Sequence, residues 1–495
     1  MLSVVVFAPL ALGLVLLAVP RVPDRVVLWS WVAVSVADLA LVVALWIGYD
    51  PVSGIGHETN LRWIPTVSAG YHVGVDGLSL PLVAMTAVVF AACAVYSLRE
   101  RRAVRPYVVL FLLLQTASLG LFVALDLILF FVFFDVSIVA MYFVIAGWGH
   151  GERARASALQ FFLYTFLGSL VMLLGFIGLY LAGGTFDIVE LAASNPLAGQ
   201  GVLGGLVLLA LVVGLAIKTP TVPFHTWLPP AHGDAPAAGS AVLAAVLLKM
   251  GTYGFVRIVM PILPESWRQY ASVIVIVGVV SVVYGALVAL AQTDLKRMIA
   301  YTSVNHMGYV ILGVGAAGLV AGGAEQARTL AVTGAVTQMV SHGLITGALF
   351  LLTGVLHARG GTYDMAAYSG LARPAPRFAL LFAVAAFASL GLPGFSGFIA
   401  EFQIFTGSLG QAPVATAIAL LGILLTAALF LLALQRVFLG ATEVPAGRHI
   451  GDVTAVEATA IVPLLLLALV VGVFPAFLLE VVEPAARAVV ELVAR

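Results

Sequence analysis

The chain has 495 residues, of which 62% are hydrophobic and only 9% are charged, and its formal net charge is zero. A soluble domain carries roughly 25% charged residues, so this composition predicts a protein embedded in a lipid bilayer. The sequence has no basic tail of the kind that binds nucleic acid, and we expect no nucleic-acid partner. Cys93 is the only cysteine. That excludes an intramolecular disulfide and a cysteine-rich zinc or iron–sulfur site.

Apolar stretches of about 20 residues, the length that crosses roughly 30 Å of hydrocarbon, recur along the whole chain. We predict an all-α polytopic membrane protein with about 14 transmembrane helices. The first stretch lacks a basic n-region and a cleavage site, so we expect it to remain as a membrane span. The predicted spans, numbered 1 to 14, are 2–20, 27–48, 78–98, 107–125, 127–148, 158–182, 202–222, 236–260, 271–291, 298–319, 329–356, 378–408, 413–439 and 456–480.

The basic residues outside the spans fall mostly on one side of the predicted membrane. The loop after span 3 reads LRERRAVRP, and further arginines follow spans 5, 9 and 11. The acidic loops around Asp187 and Glu480 lie on the other side. Cytoplasmic loops carry the excess of Lys and Arg, so both termini are expected to face away from the cytoplasm.

Two spans are interrupted. Span 7 runs into KTPTVPFHTWLPP, and span 12 contains SLGLPGFSGFIAEF. Proline removes a backbone donor and glycine weakens a helix, and broken helices survive in lipid only where protein or a hydrated cavity satisfies the backbone. We therefore predict discontinuous helices in spans 7 and 12.

Each break lies in the fourth span of a group of five, which predicts two inverted five-helix repeats. Five is an odd number, so the second group starts from the opposite face of the membrane. The predicted regions are spans 1 to 3 (1–106), the first repeat with spans 4 to 8 (107–260), the second repeat with spans 9 to 13 (271–439), and span 14 with a C-terminal tail (440–495).

Among the charged residues of the predicted spans, four interrupt long apolar runs: Asp135, Lys218, Lys249 and Glu401. Each costs about 2.5–3.5 kcal/mol at the membrane centre, and intramembrane ionisable residues are functional by default. These four residues are therefore the predicted proton relay. The alternative is that they form structural ion pairs or point into small aqueous pockets.

Lysine usage supports the relay. Lys218, Lys249 and Lys296 are the only lysines in the chain, and the other strongly basic side chains are arginines. Arginine does not release its proton in proteins, whereas a desolvated lysine can. Lys296, next to Arg297, is expected to anchor span 10 at the headgroup level. Three carboxylates are expected to lie near span ends and reach the interface: Asp38, Asp126 and Glu457.

Histidines are further relay candidates because they titrate near neutral pH. His306 and His342 lie in apolar spans 10 and 11. Each could carry protons or could simply bond to a helix carbonyl. His225 and His232 flank the loop after the break in span 7 and could line a cytoplasmic proton entrance, although loop histidines are common at surfaces.

Sequence motifs for cofactor binding are absent. The chain contains no Gly-rich nucleotide fingerprint after a strand, no phosphate-binding loop and no metal-ligand cluster. We expect no cofactor and no metal in this chain. The energy for proton movement must then come from an ion gradient or from partner subunits.

With these residues in place, the chain resembles the antiporter-like subunits of respiratory complex I, NADH–quinone oxidoreductase, and in particular the M type (chain 4). Glutamate at position 401 and the short C-terminal tail favour the M type over the L and N types. The motifs that carry the resemblance are YHVGVDGLSLPLV, IKTPTVPFHTWLPPAH, LLKMGTYGFVR, QTDLKRMIAYTSVNHMGYV, SHGL and GLPGFSGFIAEF.

The resemblance implies a role for each relay residue. A carboxylate on span 5, here Asp135, pairs with Lys218. Lys249 links that half-channel to the second along a hydrated axis, and Glu401 serves the exit. The family pattern has glutamate at the position of Asp135, so direct contact with Lys218 could need a bridging water or a shifted helix.

The resemblance also implies the setting of the chain. It would be a non-redox, proton-pumping subunit of a bacterial cell membrane, assembled with L-type and N-type subunits and through them with a redox arm. The main alternative is a subunit of the D type from a multisubunit Na⁺/H⁺ antiporter, and a purely structural scaffold is the third.

Overall fold

The computed structural model describes residues 1–19, 21–320 and 324–495. The last residue of predicted span 1, residue 20, lies outside the described residues. One antiparallel hairpin, β1 (Gly56–Ile64) and β2 (Ala69–Val75), accompanies a mainly helical chain. The helices are α1 (Leu2–Ala18), α2 (Asp24–Ile47), α3 (Leu80–Tyr96), α4 (Val104–Val123), α5 (Leu127–Trp148), α6 (Ala154–Gly183), α7 (Ile188–Ser194), α8 (Gly201–Lys218), α9 (Leu228–Asp234), α10 (Ala237–Ile262), α11 (Pro264–Leu290), α12 (Leu295–Ala316), α13 (Glu325–Gly360), α14 (Pro376–Ser389), α15 (Ser396–Leu409), α16 (Pro413–Phe438), α17 (Ala455–Val473) and α18 (Ala476–Ala494).

Eleven helices in the described residues are long and apolar enough to cross a membrane. The other three predicted spans correspond to the shorter α1, to α12, and to the pair α14 and α15. The predicted all-α polytopic architecture is therefore confirmed. Helices α10 and α13 lie at the centre, since the apolar segment of each is completely buried by other helices.

The predicted break in span 7 separates α8 from α9. Helix α8 ends at Lys218, and its last carbonyls find partners within the protein. Ala216 O accepts from the backbone N of Thr221 at 3.1 Å, and Ile217 O accepts from Trp227 Nε1 at 2.9 Å. The freed backbone is thus satisfied without lipid contact, as a broken helix in a membrane requires.

The predicted break in span 12 separates α14 from α15. Two glycines in this connection have positive φ, +69° at Gly391 and +100° at Gly394. Side chains with a Cβ rarely adopt this conformation, which explains why glycine occupies both positions. An added Cβ at Gly391 would also lie only 2.5 Å from Oε2 of Glu401, so the turn packs directly on that carboxylate.

Helix α10 contains two π-helical segments, Leu243–Leu247 and Phe255–Val259. A π-helical turn inserts an extra residue and frequently occurs at functional sites. Lys249 lies between the two segments. Hydropathy predicts the span but carries no signal for these irregular turns.

The sequence did not predict the hairpin. His72 holds it in place by contacts with two carboxylates. Nδ1 of His72 lies 2.5 Å from Oδ2 of Asp187 and its Nε2 lies 2.7 Å from Oε1 of Glu58. Burial alone would lower the pKa of His72, but the two carboxylates outweigh it and the pKa is raised. At Asp187, burial would raise the pKa, but the hydrogen bond and charge of His72 together with the backbone N–H groups of Glu190 and Val189 outweigh it, and the pKa is lowered. His72 thus joins the hairpin to the start of α7.

The expectation that the chain ends in a short tail is wrong. The last residues form α18, which packs against α10, α11 and α13. Its buried residues recur at helical spacing, so one apolar face covers the bundle while the other stays polar. Span prediction missed this helix because its charges lower the average hydropathy. The buried residues are Leu478, Val481, Val482, Ala486, Val489, Val490 and Val493.

The assignment of inverted repeats to 107–260 and 271–439, between 1–106 and 440–495, stays a prediction. Helix α7 and the hairpin both lie in connections between spans and do not alter the predicted order of the helices.

Candidate functional site

All three lysines of the chain are completely buried, with side chains of 0% relative exposure. They belong to different helices, Lys218 at the end of α8, Lys249 in α10 and Lys296 at the start of α12. Lys296 therefore does not anchor α12 at the headgroup level, and that expectation is wrong. Its Nζ donates to the carbonyl of Ala235, directly after α9, so the side chain points into the protein.

Lys218 forms the first part of the site, on α8. Its Nζ donates to Oγ of Ser137 at 3.3 Å and lies 4.8 Å from the ring centroid of Phe134. The negative end of the α8 dipole favours a cation at this helix terminus. The break after Lys218 therefore places the lysine where a buried charge is partly compensated by the backbone.

Asp135 lies on α5 beside Lys218 but does not contact it directly. The described residues contain no ion pair within 4.0 Å between these two side chains. Oδ1 of Asp135 is buried without a hydrogen-bond partner among the described residues. The separation agrees with the shorter side chain of aspartate and leaves the bridging role to water.

Close packing joins this first part of the site to Lys249. Oγ of Ser137 also lies 3.5 Å from Sδ of Met250. A Cβ added to Gly251 would lie 2.7 Å from Leu215 O and 2.4 Å from Oγ1 of Thr219. Only glycine allows α10 to approach the end of α8 this closely, so Lys249 is held near the break.

Lys249 has two hydrogen-bond partners. Its Nζ donates to Ala244 O at 2.7 Å, inside the first π-helical segment, and lies 2.5 Å from Nδ1 of His342. The extra residue of a π-helical turn disturbs the regular backbone pairing and leaves a carbonyl free to accept from a side chain. The lysine is thereby directed toward α13.

From His342 the polar contacts continue to Glu401 on α15. The ring centroids of His342 and His306 are 5.4 Å apart. Nδ1 of His306 lies 3.5 Å from Oε1 of Glu401, and its Nε2 lies 3.2 Å from Oγ of Ser389. Nε2 of Gln338 lies 3.2 Å from Nδ1 of His306 and 3.5 Å from Oε1 of Glu401.

A small cavity of about 10 Å³ lies among His306, Gln338, His342 and Glu401. Roughly 10–15 Å³ is the smallest space that holds a water molecule with several polar partners. The cavity is therefore large enough for about one water between the histidines and the carboxylate.

Sequence reasoning missed three polar members of this row, namely Ser137, Gln338 and Ser389. A signal was present for Gln338. It precedes Ser341 and His342 by three and four residues, which places all three on one face of the apolar helix α13. Polar side chains on one face of a buried helix mark a hydrated or hydrogen-bonded path.

The two predicted entrance histidines occupy different settings. His232 on α9 is completely buried, its ring stacks on Phe350 at 4.4 Å, and neither ring nitrogen has a partner among the described residues. His225 is buried in the connection between α8 and α9, with its ring 5.0 Å from that of Tyr284. Of these two histidines, His232 is the one that interacts electrostatically with Lys249.

The expectation that Asp38 reaches the interface is wrong. Asp38 lies in the middle of α2, is completely buried and accepts from Nε2 of Gln115 at 2.8 Å. Asp126 and Glu457 do lie at helix starts, but both are buried. Asp126 caps α5, and Glu457 accepts from Arg359 at 2.7 Å. These three carboxylates have no hydrogen bond to the row of relay residues in the described part of the chain.

The described residues contain no group of three or more His, Cys, Asp and Glu side chains that could hold a metal ion. The row itself consists of amines, imidazoles and carboxylates, all of which can gain or lose a proton.

The two broken helices and the buried lysine at the first break agree with the antiporter-like class that the sequence motifs resemble. The family model "NADH:quinone oxidoreductase/Mrp antiporter, TM" matches residues 124–431. The chain belongs to this family.

Relatives with similar sequences extend over nearly the whole chain. NADH-quinone oxidoreductase subunit M of Rhodobacter capsulatus is 38% identical, over 99% of this chain and 96% of its own length. F(420)H(2) dehydrogenase subunit M of Methanosarcina mazei is also 38% identical, over 93% of this chain and 92% of its own.

Solved structures agree with these relatives. Respiratory complex I from Thermus thermophilus contains a chain with a TM-score of 0.89 and 30% identity, covering 100% of both chains. The Mrp complex from a Dietzia species contains one with a TM-score of 0.86 and 25% identity, covering 100% of this chain and 99% of that chain. The resemblance read from the motifs is confirmed.

Proposed function

We propose that this chain is the proton-translocating membrane subunit, of the M type, of an NADH–quinone oxidoreductase. It acts as the non-redox part of the translocase and carries no cofactor chemistry of its own. The observation that carries the proposal is the row of buried titratable groups from Lys249 through His342 and His306 to Glu401, with each group close to the next.

The proposed transfer begins at the first broken helix. Quinone reduction elsewhere in the complex changes the electrostatic balance between Asp135 and Lys218. When Asp135 moves away, the Lys218 ammonium loses its stabilising carboxylate and releases a proton. Lys249 takes up that proton, and Lys218 is left as the neutral amine.

The second half of the transfer runs through the histidines. Lys249 gives its proton to Nδ1 of His342, and the imidazole releases one from Nε2 toward His306. Glu401 receives the proton from His306 and releases it on the exit side. Each group returns to its starting state when the next proton arrives, so the cycle is balanced.

The family and the charge distribution support the proposed setting. The partners are the antiporter-like L-type and N-type membrane subunits and, through them, the redox arm. The membrane is the bacterial cell membrane, with the arginine-rich loops in the cytoplasm and both termini outside. The two broken helices belong to two inverted five-helix repeats.

Replacing Lys218 or Glu401 in the assembled complex tests the proposal. We expect Lys218→Met and Glu401→Leu to assemble normally but to lower the number of protons pumped per electron. The ratio is measured in sealed membrane vesicles, with the quinone reductase rate recorded in the same sample. Exposed Arg436→Gln on α16 is the matched control. A ratio equal to that of the unaltered complex in both variants would refute a relay role.

A Na⁺/H⁺ antiporter subunit is the second candidate. It is favoured by the similarity to the chain of the Dietzia Mrp complex, of which 99% is covered. Purifying the native complex separates the two candidates. Redox subunits that co-purify favour the oxidoreductase, and their identity also distinguishes NADH from F420H₂ as electron donor. Na⁺-dependent exchange by a complex without redox subunits favours the antiporter. A scaffold role predicts that the relay variants affect assembly alone.

A further inference from the structure

Lys296 is a buried lysine that the relay proposed above does not use. Its Nζ donates to Ala235 O at 2.5 Å and lies 4.9 Å from the ring centroid of Tyr363. The neighbouring Arg297 is exposed, so the sequence places the permanent cation outside and the lysine inside. An ordinary surface cation would not be buried to 0% exposure.

The surroundings of Lys296 do not fix its charge. It is the second residue of α12, where the helix dipole disfavours a cation. Two carboxylates lie nearby, but each is engaged elsewhere. Asp294 accepts from the backbone N of Arg297 at 2.8 Å, and Asp234 accepts from Oγ of Ser157 at 2.5 Å. Among the described residues the ammonium has two direct contacts, the carbonyl of Ala235 and the face of the Tyr363 ring, while Asp294 and Asp234 favour its charge without an ion pair to it.

A ladder of aromatic, titratable side chains connects Lys296 with the arginine-rich face of the protein. His150, directly after α5, is exposed, and its ring centroid lies 4.7 Å from that of His357. His357 is half-buried and stacks on Tyr363 at 4.4 Å. Tyr363 in turn covers Lys296. Exposure therefore falls step by step from the surface to the lysine.

On its inner side Lys296 meets the unpartnered histidine of α9. His232 lies within electrostatic range of both Lys296 and Lys249. Its ring nitrogens have no hydrogen-bond partner among the described residues, so they are free to accept a proton directly or through a water. His342, the partner of Lys249, is also within electrostatic range of His232.

We propose that Lys296 is a further proton-carrying residue, which takes protons from the arginine-rich face and passes them through His232 to Lys249. The proposal rests on the proposed function, since it supplies the same row. The Lys296 amine binds a proton that enters past His150 and His357. The ammonium then gives the proton to a ring nitrogen of His232 and returns to the amine, so no other reactant is needed.

Variants that separate charge from proton release test this role. Lys296→Arg keeps the cation but cannot release its proton. Lys296→Met removes the cation and keeps the approximate volume. Arg297→Gln, at the exposed neighbour, is the matched control, and Lys218→Met reports on the relay itself. Each variant is measured in the assembled complex for proton flux and quinone reductase rate.

We expect both Lys296 variants to lower proton flux about 10²-fold, the low end of the roughly 10²–10⁴ that a positioned proton-transfer group contributes. Arg297→Gln should leave flux unchanged. If Lys296→Arg pumps normally, the residue only holds a charge and the inference is overturned. If neither Lys296 variant assembles, His357→Gln tests the same entry path at a half-buried position. Normal proton flux in His357→Gln would also overturn the inference.

The two proposals fail in different ways. Reduced flux in Lys218→Met together with normal flux in both Lys296 variants overturns this inference alone. Normal flux in Lys218→Met counts against the proposed function itself.

Discussion

Nζ of Lys249 and Nδ1 of His342 lie 2.5 Å apart, although the two residues belong to different helices, α10 and α13. When Lys249 is charged it can only donate, so Nδ1 of the neutral imidazole then accepts and the ring proton resides on Nε2. That nitrogen has no partner among the described residues. The contact therefore orients His342 so that a proton arriving at one nitrogen displaces a proton from the other.

Replacing His342 tests this contact. We expect His342→Gln to preserve assembly, because the side chain remains polar, and to reduce proton flux by about 10²-fold, within the range for a proton-transfer group. Flux is measured in vesicles that contain the complete complex. His225→Gln is the matched control, since the ring of His225 packs on Tyr284 rather than on a relay lysine. Equal flux in both variants would count against a role for His342.

Lengthening Asp135 tests the geometry of the first pair. Glutamate adds one methylene, with a similar intrinsic pKa, and should allow the carboxylate to reach within about 4 Å of Lys218 Nζ, the limit for an ion pair. We expect Asp135→Glu to retain proton flux and Asp135→Asn to lose it. An experimental structure of the Asp135→Glu complex measures the distance. Full flux in Asp135→Asn would show that the charge is not needed.

His72 contacts Asp187 and Glu58 outside the membrane-spanning helices, and these contacts predict that the stability of the hairpin depends on pH. The pKa of His72 is raised above its usual value near 6.5, so its contribution to stability is complete below about pH 6.5 and is lost as the pH rises through the raised value. The pKa of Asp187 is lowered, so its contribution is lost only as the pH falls through that lowered value.

We therefore expect the hairpin Gly56–Val75 to be best protected from hydrogen exchange between about pH 4 and 6.5, after correction for the intrinsic exchange rate. His72→Gln should remove the loss of protection at higher pH, whereas the loss at low pH should persist in part because backbone N–H groups also lower the pKa of Asp187. His57→Gln on the same hairpin serves as the control, because His57 is exposed. A loss of protection at higher pH that persists in His72→Gln would assign the effect to another group.

Gly391 packs against Glu401, so replacing it should affect both stability and proton flux. Gly391→Ala combines left-handed strain, about 1–2 kcal/mol, with a Cβ at 2.5 Å from the carboxylate. Gly394→Ala adds strain at φ +100°, where a Cβ meets nothing within 4 Å. We expect both variants to lower the thermal stability of the complex, and only Gly391→Ala to lower proton flux further. Equal flux in the two variants would refute a positioning role.

The sequence by itself determined the placement in a membrane, most spans and both breaks, and it marked the four charged residues of the proposed relay. These features follow from local properties. Hydropathy over about 20 residues decides insertion, and proline and glycine interrupt a helix wherever they occur. A charged residue in an apolar span is expensive in any tertiary arrangement, so Asp135, Lys218, Lys249 and Glu401 could be recognised before their neighbours were known.

The tertiary structure decided which groups touch. Lys249 meets His342 because α10 and α13 pack together at the centre, and Asp135 stops short of Lys218 because a side chain's reach matters only once the distance between helices is fixed. Lys296 turns inward for the same reason, since at a helix start the direction of a long side chain depends on its neighbours. The apolar face of α18 was invisible to average hydropathy, and only packing against the bundle gives it a partner.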